Sequence, residues 1–429
     1  MIPMKKRYSV LLCGVLLMAV LCMASACSQS NSGPGKKSGI VSFEGKLSSQ
    51  SISPFPEAFV SGTNQFGWSA VSKLFTQDNI AISPASLELA MLMTRSGADG
   101  ATADEIRDAL SLFGMTDEQI LAACQQLMWR TNTNGMEDAN SIWMQKDYMF
   151  SDRFIQTCTD TFMADASVVD FLHASKDATD QINQWASDKT HGKIAKMNPS
   201  PLPDDTRMVL VNALYFLGDW ETPFIAQNTS DQTFHGTKSD TDVPFMHDQR
   251  SMLYSETSAY QMISLPFKGA KGEADSPFSM AFILPAEGQD ITAVMNSLAV
   301  DGFSAACSNL NNAEVNLALP KFTFTYDTSM VKTMESLGMK LAFDPVQAQF
   351  DGMTGSANDL YISDILHKCY IRVDEKGAEA AAVTEVIMAD TAMPVQQDIK
   401  NFTADRPFLF AIYDETDNTI LFLGAVGQL

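Results

Sequence analysis

The chain has 429 residues, of which 45% are hydrophobic and 19% are charged, so it can bury a large core and is not a disordered protein. Its 29 basic and 51 acidic side chains give a formal net charge of -22, which opposes binding to phosphate backbones and anionic lipid surfaces. Composition therefore argues against nucleic acid as a partner and allows one large domain or two ordinary ones.

Residues 1–26 are typical of an export signal. Basic residues precede an apolar run at 10–23, and small residues at 24–26 close it. Because Cys27 follows directly, the stretch resembles a bacterial lipoprotein signal in which Cys27 becomes the lipid-modified mature N-terminus. Ordinary cleavage after Ala26 is the alternative.

Residues 27–55 are predicted to be a flexible tether, since residues 28–39 are polar, rich in Gly and Ser, and without periodicity. The folded domain is predicted at 56–429. No later run of the sequence is long enough to span a bilayer. We therefore expect an extracellular protein held at the cell surface through a lipid on Cys27, with secretion as the alternative.

Four widely spaced cysteines follow Cys27, and none belongs to a CxxC pair or lies near a histidine at metal-ligand spacing. The sequence thus indicates no metal site, no redox motif and no cofactor. We interpret them as buried thiols, although export also permits a disulfide. They are Cys124, Cys158, Cys307 and Cys369.

Helix signals dominate the first half of the chain. Ser83 followed by Pro84 predicts the start of a helix. Thr102 with Glu105 predicts a capping box at the start of the next one. Asp177 predicts the start of a third helix.

Strand signals dominate the second half. Residues 208–218 and 278–285 read as buried strands, and 315–326 alternates between apolar and polar side chains. A further helix is predicted from 328, and two apolar strands joined by a polar turn end the chain. Helices first and strands later, without βα alternation, predict an α+β fold.

Catalytic motifs are absent from the sequence: it contains no GxSxG, no HExxH, no Walker loop and no GxGxxG after a strand. None of the five histidines lies in a context that supplies both a nucleophile and an orienting group. The chain is therefore predicted not to be an enzyme.

Four stretches together identify a family. They are "NIAISPASLELAM" at 79–91, "LVNALYFLGDWETPF" at 210–224, "HKCYIRVDEKGAEAAAV" at 367–383, and "RPFLFAIYD" with "ILFLGAVG" near the C-terminus. In this order and spacing, the chain resembles the serpins, the serine protease inhibitor family, from about residue 57 onwards. The resemblance implies the serpin fold, with three β-sheets, eight or nine helices and an exposed reactive-centre loop.

That loop corresponds to residues 373–396, "VDEKGAEAAAVTEVIMADTAMPVQ", whose residue composition alone would favour a helix. A loop that enters a sheet needs small or apolar side chains at every second position and no proline. Alternate residues from Ala378 onwards meet this demand, and the first proline is Pro394. These residues are Ala378, Ala380, Ala382, Thr384, Val386 and Met388.

The resemblance assigns roles to individual residues. Trp220 matches the breach, where insertion begins, and Ser83, Ser86, Asn212 and His367 match the shutter, a hydrogen-bonded cluster beneath the strands that part. Simple core packing is the alternative role for all five. The matched loop hinge consists of Glu375, Gly377, Ala378, Glu379, Ala380, Ala381 and Ala382.

Family counting places the scissile bond between Thr391 and Ala392, whereas counting back from the C-terminal side points nearer Met393. Asp390 is a minor alternative. The segment from 377 to 399 contains no Lys or Arg, so trypsin-like proteases are poor targets and elastase-like or subtilisin-like enzymes are favoured.

Two functional classes stay open. The first is a monomeric suicide inhibitor of extracellular serine proteases, or less favourably of cysteine proteases. The second is a non-inhibitory serpin that serves as a binding or carrier protein. The proline-free, alanine-rich hinge favours the first, because only an inserting loop needs alternating small side chains.

Overall fold

The computed structural model describes residues 54–133, 136–198, 200–216, 218–269, 276–299, 302–355, 360–378 and 398–429. None of the helices in these ranges is long and apolar enough to cross a membrane. The α-helices of the described residues are α1 (Glu57–Leu74), α2 (Pro84–Arg95), α3 (Gly100–Ala109), α4 (Asp117–Thr133), α5 (Asp152–Phe162), α6 (Phe171–Lys189), α7 (Ile291–Leu298), α8 (Gly302–Ser308), α9 (Val331–Ser336) and α10 (Asp351–Thr354).

Sixteen strands are described, most of them from Met208 onwards. They are β1 (Ile80–Ile82), β2 (Met136–Gln145), β3 (Asp165–Val169), β4 (Met208–Phe216), β5 (Gly218–Asp219), β6 (Ser230–His235), β7 (Asp240–Glu256), β8 (Tyr260–Pro266), β9 (Phe278–Pro285), β10 (Asn311–Pro320), β11 (Phe322–Ser329), β12 (Leu366–Val373), β13 (Gly377–Ala378), β14 (Lys400–Thr403), β15 (Phe408–Asp414) and β16 (Thr419–Val426).

Within the described ranges these strands form three sheets, as predicted. The largest has nine strands in the order β1-β16-β15-β9-β8-β7-β10-β14, with β6 paired to β7. The second has five strands in the order β11-β12-β4-β2-β3, and the third consists of β13 and β5. The described residues contain ten α-helices and two short 3₁₀ helices where eight or nine helices were expected, and one of the ten, α10, is only a four-residue turn.

The main core lies between the nine-stranded sheet and the helices of the first half. Strands β9, β15 and β16 are buried along their whole length. These strands consist almost entirely of apolar residues, as expected when both faces of a strand are covered. The two predicted C-terminal strands and their polar turn are therefore confirmed.

A second apolar cluster lies between α6 and the five-stranded sheet. Trp185 of α6 meets Trp143 of β2 edge to face, with ring centroids 6.4 Å apart and the planes at 81°. Val209 and Val211 of β4 complete the contact. The helix thus covers one face of the sheet that contains β4 and β12.

Helix starts were predicted with mixed success. Ser83 caps α2 as expected, accepting a hydrogen bond from Ser86 N at 3.1 Å. The capping box at Thr102 and Glu105 is wrong, because α3 already begins at Gly100, after Asp99. Helix α6 begins at Phe171, after Asp170 has accepted a hydrogen bond from His173 N, but its backbone is non-helical at Ala174, so the uninterrupted helix starts close to the predicted Asp177.

Candidate functional site

Strands β4 and β12 are parallel neighbours in the middle of the five-stranded sheet, but they pair over only part of their length. The register joins Leu366–Cys369 to Val211–Leu214 and extends no further. Strand β12 continues to Val373 and β4 to Phe216. Beyond the paired segment, the facing backbone edges of β4 and β12 therefore do not form a ladder with each other. We call this region the strand opening.

An unpaired strand edge can accept another strand by β-augmentation. The side chains of β12 alternate, with His367, Cys369, Ile371 and Val373 buried and the intervening residues half-buried. A strand entering the opening would share this alternation, so every second side chain would face the core. Small or apolar side chains at every second position, the pattern that starts at Ala378, fit that requirement.

The chain leaves β12 directly into the hinge. Gly377 and Ala378 pair antiparallel with Asp219 and Gly218, forming the two-stranded sheet. Nearby backbone groups hold the preceding turn: Trp220 N donates to Lys376 O at 2.7 Å. The start of the hinge is thus bound to the segment that follows β4, on the other side of the strand opening.

Glu375 fixes the hinge through its side chain. Lys321 Nζ lies 2.8 Å from Glu375 Oε2, and Thr229 Oγ1 donates to Glu375 Oε1 at 2.8 Å. Burial by itself raises the pKa of Glu375, but hydrogen bonds from Lys321, its own backbone and Thr229 outweigh it and lower the pKa. The carboxylate is therefore ionised at neutral pH.

Gly377 occupies a position that accepts only glycine. Its φ is +151°, and a Cβ atom there would lie 2.0 Å from the carbonyl oxygen of Gly218. Backbone and neighbour together exclude a side chain at this point. The tight approach is what allows the two-stranded pairing with β5.

Trp220 packs directly against the hinge. Its indole Nε1 donates to the carbonyl oxygen of Asp374 at 2.9 Å, and its ring stacks on Phe267 with centroids 4.8 Å apart and planes at 9°. The side chain is 1% exposed. The residue matched to the breach therefore touches the point where β12 ends and the loop begins.

Ser83 and His367, both matched to the shutter, are in contact. Ser83 N donates to His367 Nε2 at 3.2 Å, and Ser83 Oγ donates to the carbonyl oxygen of Leu421 at 2.6 Å. Because Nε2 accepts a hydrogen bond, the neutral imidazole carries its proton on Nδ1. Burial lowers the pKa of His367 to about 3, so the ring is neutral at physiological pH.

The cluster extends across the sheet to residues that the sequence analysis missed. Asn212 is the register neighbour of His367, and its Nδ2 donates to Asn140 Oδ1 on β2 at 3.0 Å. Cys369 Sγ lies 3.2 Å from His367 Nε2. In the sequence, Asn140 is only a polar residue within a strand-like run. That pattern does not identify its partner Asn212, which lies 72 residues away.

Several predicted positions lie outside the described residues. They are the lipidation site Cys27, the hinge residues Glu379, Ala380, Ala381 and Ala382, and the bond region Asp390, Thr391, Ala392 and Met393. For Ala378 only the backbone is described. These assignments stay predictions.

The described residues also contain four thiols, but no cluster that could bind a metal. In those ranges no group of three or more His, Cys, Asp or Glu side chains could hold a metal ion. Cys124, Cys158, Cys307 and Cys369 are free thiols. Burial raises the pKa of Cys158 and of Cys307 to about 12, which keeps both protonated and unreactive at neutral pH.

Known proteins are similar to this chain over most of its length. A human leukocyte elastase inhibitor is 34% identical over 369 residues, spanning 83% of this chain and 94% of that protein. An uncharacterized serpin-like protein of Thermococcus kodakarensis is 32% identical over 370 residues, spanning 85% and 84%. The native structure of the thermophilic serpin Tengpin superposes with a TM-score of 0.80 at 31% identity, covering 89% of this chain and 96% of Tengpin.

The family model described as Serpin (serine protease inhibitor) matches residues 61–429. The match includes the strand opening, the hinge and the shutter, so it spans every described feature of the site. On sequence, fold and site together, the chain belongs to the serpin family.

Proposed function

We propose that the protein is a suicide inhibitor of extracellular serine proteases with elastase-like or subtilisin-like specificity. Serpins are mostly protease inhibitors rather than catalysts. The observation that supports inhibition here is the strand opening between β4 and β12, with the hinge beginning at the end of β12. The sequence that follows the hinge carries small or apolar residues at alternate positions and no proline before Pro394.

The chemistry begins as ordinary proteolysis. The serine hydroxyl of the protease attacks the carbonyl carbon of the scissile bond, near Thr391, and the amine of the next residue leaves. The protease is then esterified to the new C-terminus of the loop. Because the peptide bond is broken, the hinge side is free to enter the strand opening.

Insertion supplies the driving force. A strand between β4 and β12 gains backbone hydrogen bonds on both edges and buries alternate side chains against the core. The attached protease is carried along and deformed, so that water no longer hydrolyses the ester. The outcome depends on whether insertion is faster than hydrolysis, which makes the hinge contacts of Glu375 and Trp220 kinetic determinants.

Target class follows from loop composition. Trypsin-like enzymes have an acidic specificity pocket, and residues 377–399 contain no basic side chain to fill it. Thr391, Ala392 and Met393 instead suit pockets for small or medium apolar groups. The signal-like segment and Cys27 favour activity at the cell surface, or in the medium if cleavage follows Ala26.

The test is incubation of the chain, without its predicted signal, with an elastase-type protease. Denaturing electrophoresis should reveal a band at the mass of the protease plus the chain without its C-terminal peptide, and mass spectrometry of that released peptide identifies the bond. Cleavage without a complex by elastase-type, subtilisin-type and cysteine proteases alike would instead favour the carrier function.

Two neighbouring substitutions give a matched control. Ala380→Glu places a charge on the face that must enter the core, whereas Ala381→Glu places the same charge on the opposite face. We expect the first variant to be cleaved without forming a complex and the second to retain complex formation. Equal behaviour of the two variants would rule out insertion in the predicted register.

A further inference from the structure

Glu88 is a carboxylic acid in the middle of the core. It lies on α2, where every residue from Pro84 to Thr94 is buried, and its own exposure is 0%. An ionised carboxylate in such surroundings is costly unless it is paired. Among the described residues Glu88 forms no ion pair, and its Oε1 atom has no hydrogen-bond partner.

Thr63 supplies the hydrogen-bond donor that faces Glu88. Thr63 Oγ1, on α1, lies 2.9 Å from the carbonyl oxygen of Phe59 and 2.5 Å from Glu88 Oε2. A hydroxyl has one proton, so Thr63 shares its single donor between the carbonyl oxygen of Phe59 and Glu88 Oε2. Among the described residues this shared donor is the one hydrogen bond that the Glu88 carboxyl group accepts, which is too little to compensate a buried negative charge.

The groups that face Glu88 do not compensate a negative charge. Thr63 faces it from α1, and Cys124 is the titratable group that faces it from α4. Burial, and secondly the proximity of Glu88, raise the pKa of Cys124 well above its usual value. Burial raises the pKa of Glu88 to about 8, against a smaller lowering by the Thr63 hydrogen bond.

We propose that the Glu88 proton makes the stability of the native fold pH-dependent, because α1, α2 and α4 pack around a neutral carboxylic acid. Loss of the proton leaves an unpaired charge at the junction of these three helices. Helix α2 is also linked to the strands, since Ser83 at its N-terminus binds His367 and Leu421. Destabilisation of α2 at Glu88 is therefore expected to weaken the contact between Ser83 and His367 in the shutter.

The direction of the effect follows from proton linkage. In the unfolded chain Glu88 ionises near its ordinary value of 4.5, whereas the native state keeps the proton up to about pH 8. Between these values the native state holds one more proton than the unfolded state, so stability falls as pH rises. A single such proton changes the unfolding equilibrium constant about tenfold for each pH unit.

The test compares Glu88→Gln with the wild-type chain by urea unfolding from pH 5.5 to 7.5. Glutamine keeps the shape, and its side-chain oxygen can accept from Thr63, but it cannot ionise. Over these two pH units we expect the unfolding constant of the wild type to rise about 100-fold relative to the variant. Glu118→Gln, on the exposed side of α4, is the matched control and should follow the wild type. A pH-independent difference between Glu88→Gln and wild type would overturn the proposal.

Infrared spectroscopy keeps the proposal testable if Glu88→Gln does not fold. Native wild-type protein carrying ¹³C in its glutamate side chains should show the carbonyl band of a protonated carboxylic acid at pH 6. The isotope shift distinguishes glutamate from aspartate, and the band should decline as pH passes 8. Absence of a glutamic acid band at pH 6 would refute the proton assignment.

Discussion

Lys321, the residue before β11, forms a salt bridge with Glu375 of the hinge, with Nζ and Oε2 2.8 Å apart. The pair lies beside the strand opening and is partly shielded from water, with side chains 35% and 15% exposed. It therefore holds the start of the loop to the five-stranded sheet while the opening is unfilled.

Replacing Glu375 by Gln should loosen the hinge. We expect a loss of about 1 kcal/mol in the free energy of unfolding, and faster oligomer formation on mild heating, because exposed strand edges pair between molecules. Urea unfolding and size-exclusion chromatography measure the two effects. Asp327→Asn breaks the Lys368–Asp327 pair in the same sheet, where Asp327 is 69% exposed, and should change neither. Equal effects of both variants would contradict a hinge role.

Trp220→Phe should separate the hydrogen bond from the stacking. The phenyl ring can still stack on Phe267, but the bond from Nε1 to Asp374 O is lost, at a cost of about 1 kcal/mol. Trp68→Phe is a control with the same substitution, since Trp68 is buried and its Nε1 has no hydrogen-bond partner among the described residues. We expect only Trp220→Phe to accelerate loop insertion after cleavage. The insertion rate is measured as the rate at which the melting temperature rises once the loop has been cut. Identical insertion rates in the two variants would show that the bond does not restrain the hinge.

Gly377→Ala should displace the hinge from β5. The new Cβ would lie 2.0 Å from Gly218 O, so the pairing of β13 with β5 must break. Gly288→Ala controls for backbone strain, because Gly288 has φ +79° and a Cβ added there would have no other atom within 4 Å. We expect Gly288→Ala to lose about 1 kcal/mol and Gly377→Ala clearly more, measured by chemical denaturation. A loss confined to about 1 kcal/mol in both would argue against the clash.

His367 should make the fold sensitive to acid. Its pKa is about 3 in the native state and 6.5 ordinarily, so the unfolded chain binds the extra proton as pH falls below 6.5. Stability is therefore fully present above pH 6.5 and declines towards pH 3, by about 3 kcal/mol at pH 4.5. Urea unfolding gives the free energy of unfolding at each pH, and its decline below pH 6.5 should be smaller in His367→Gln than in the wild type. The decline should be unchanged in His173→Gln, whose side chain is exposed. An unaltered slope in His367→Gln would mean that another group controls acid stability.

Local signals predicted those elements whose partners lie nearby or whose faces are uniformly buried. The apolar run at 278–285 became β9 with the same bounds. Thr102 and Glu105 had the spacing of a capping box, but distant groups use both side chains. Thr102 Oγ1 accepts from Gln349 N, and Glu105 Oε2 accepts from Lys340 N and Leu341 N.

The site shows the same division between local and distant information. The resemblance supplied Ser83 and His367, and the structure adds the contact between them, across 284 residues of sequence. Asn140 was not predicted, because its hydrogen bond to Asn212 depends on the register of β2 against β4. Glu88 likewise carries no sequence signal for its burial, which depends on its neighbours from α1 and α4.

The two C-terminal strands determine where the fragment beyond the scissile bond resides. Strand β15 lies between β9 and β16 inside the nine-stranded sheet, and every residue of β15 and β16 is buried. The C-terminal fragment should therefore stay attached without any covalent link after the loop is cut. An affinity tag fused to Leu429 would retain both fragments of the cleaved chain on a column under native conditions, and would release the N-terminal fragment only when denaturant is added.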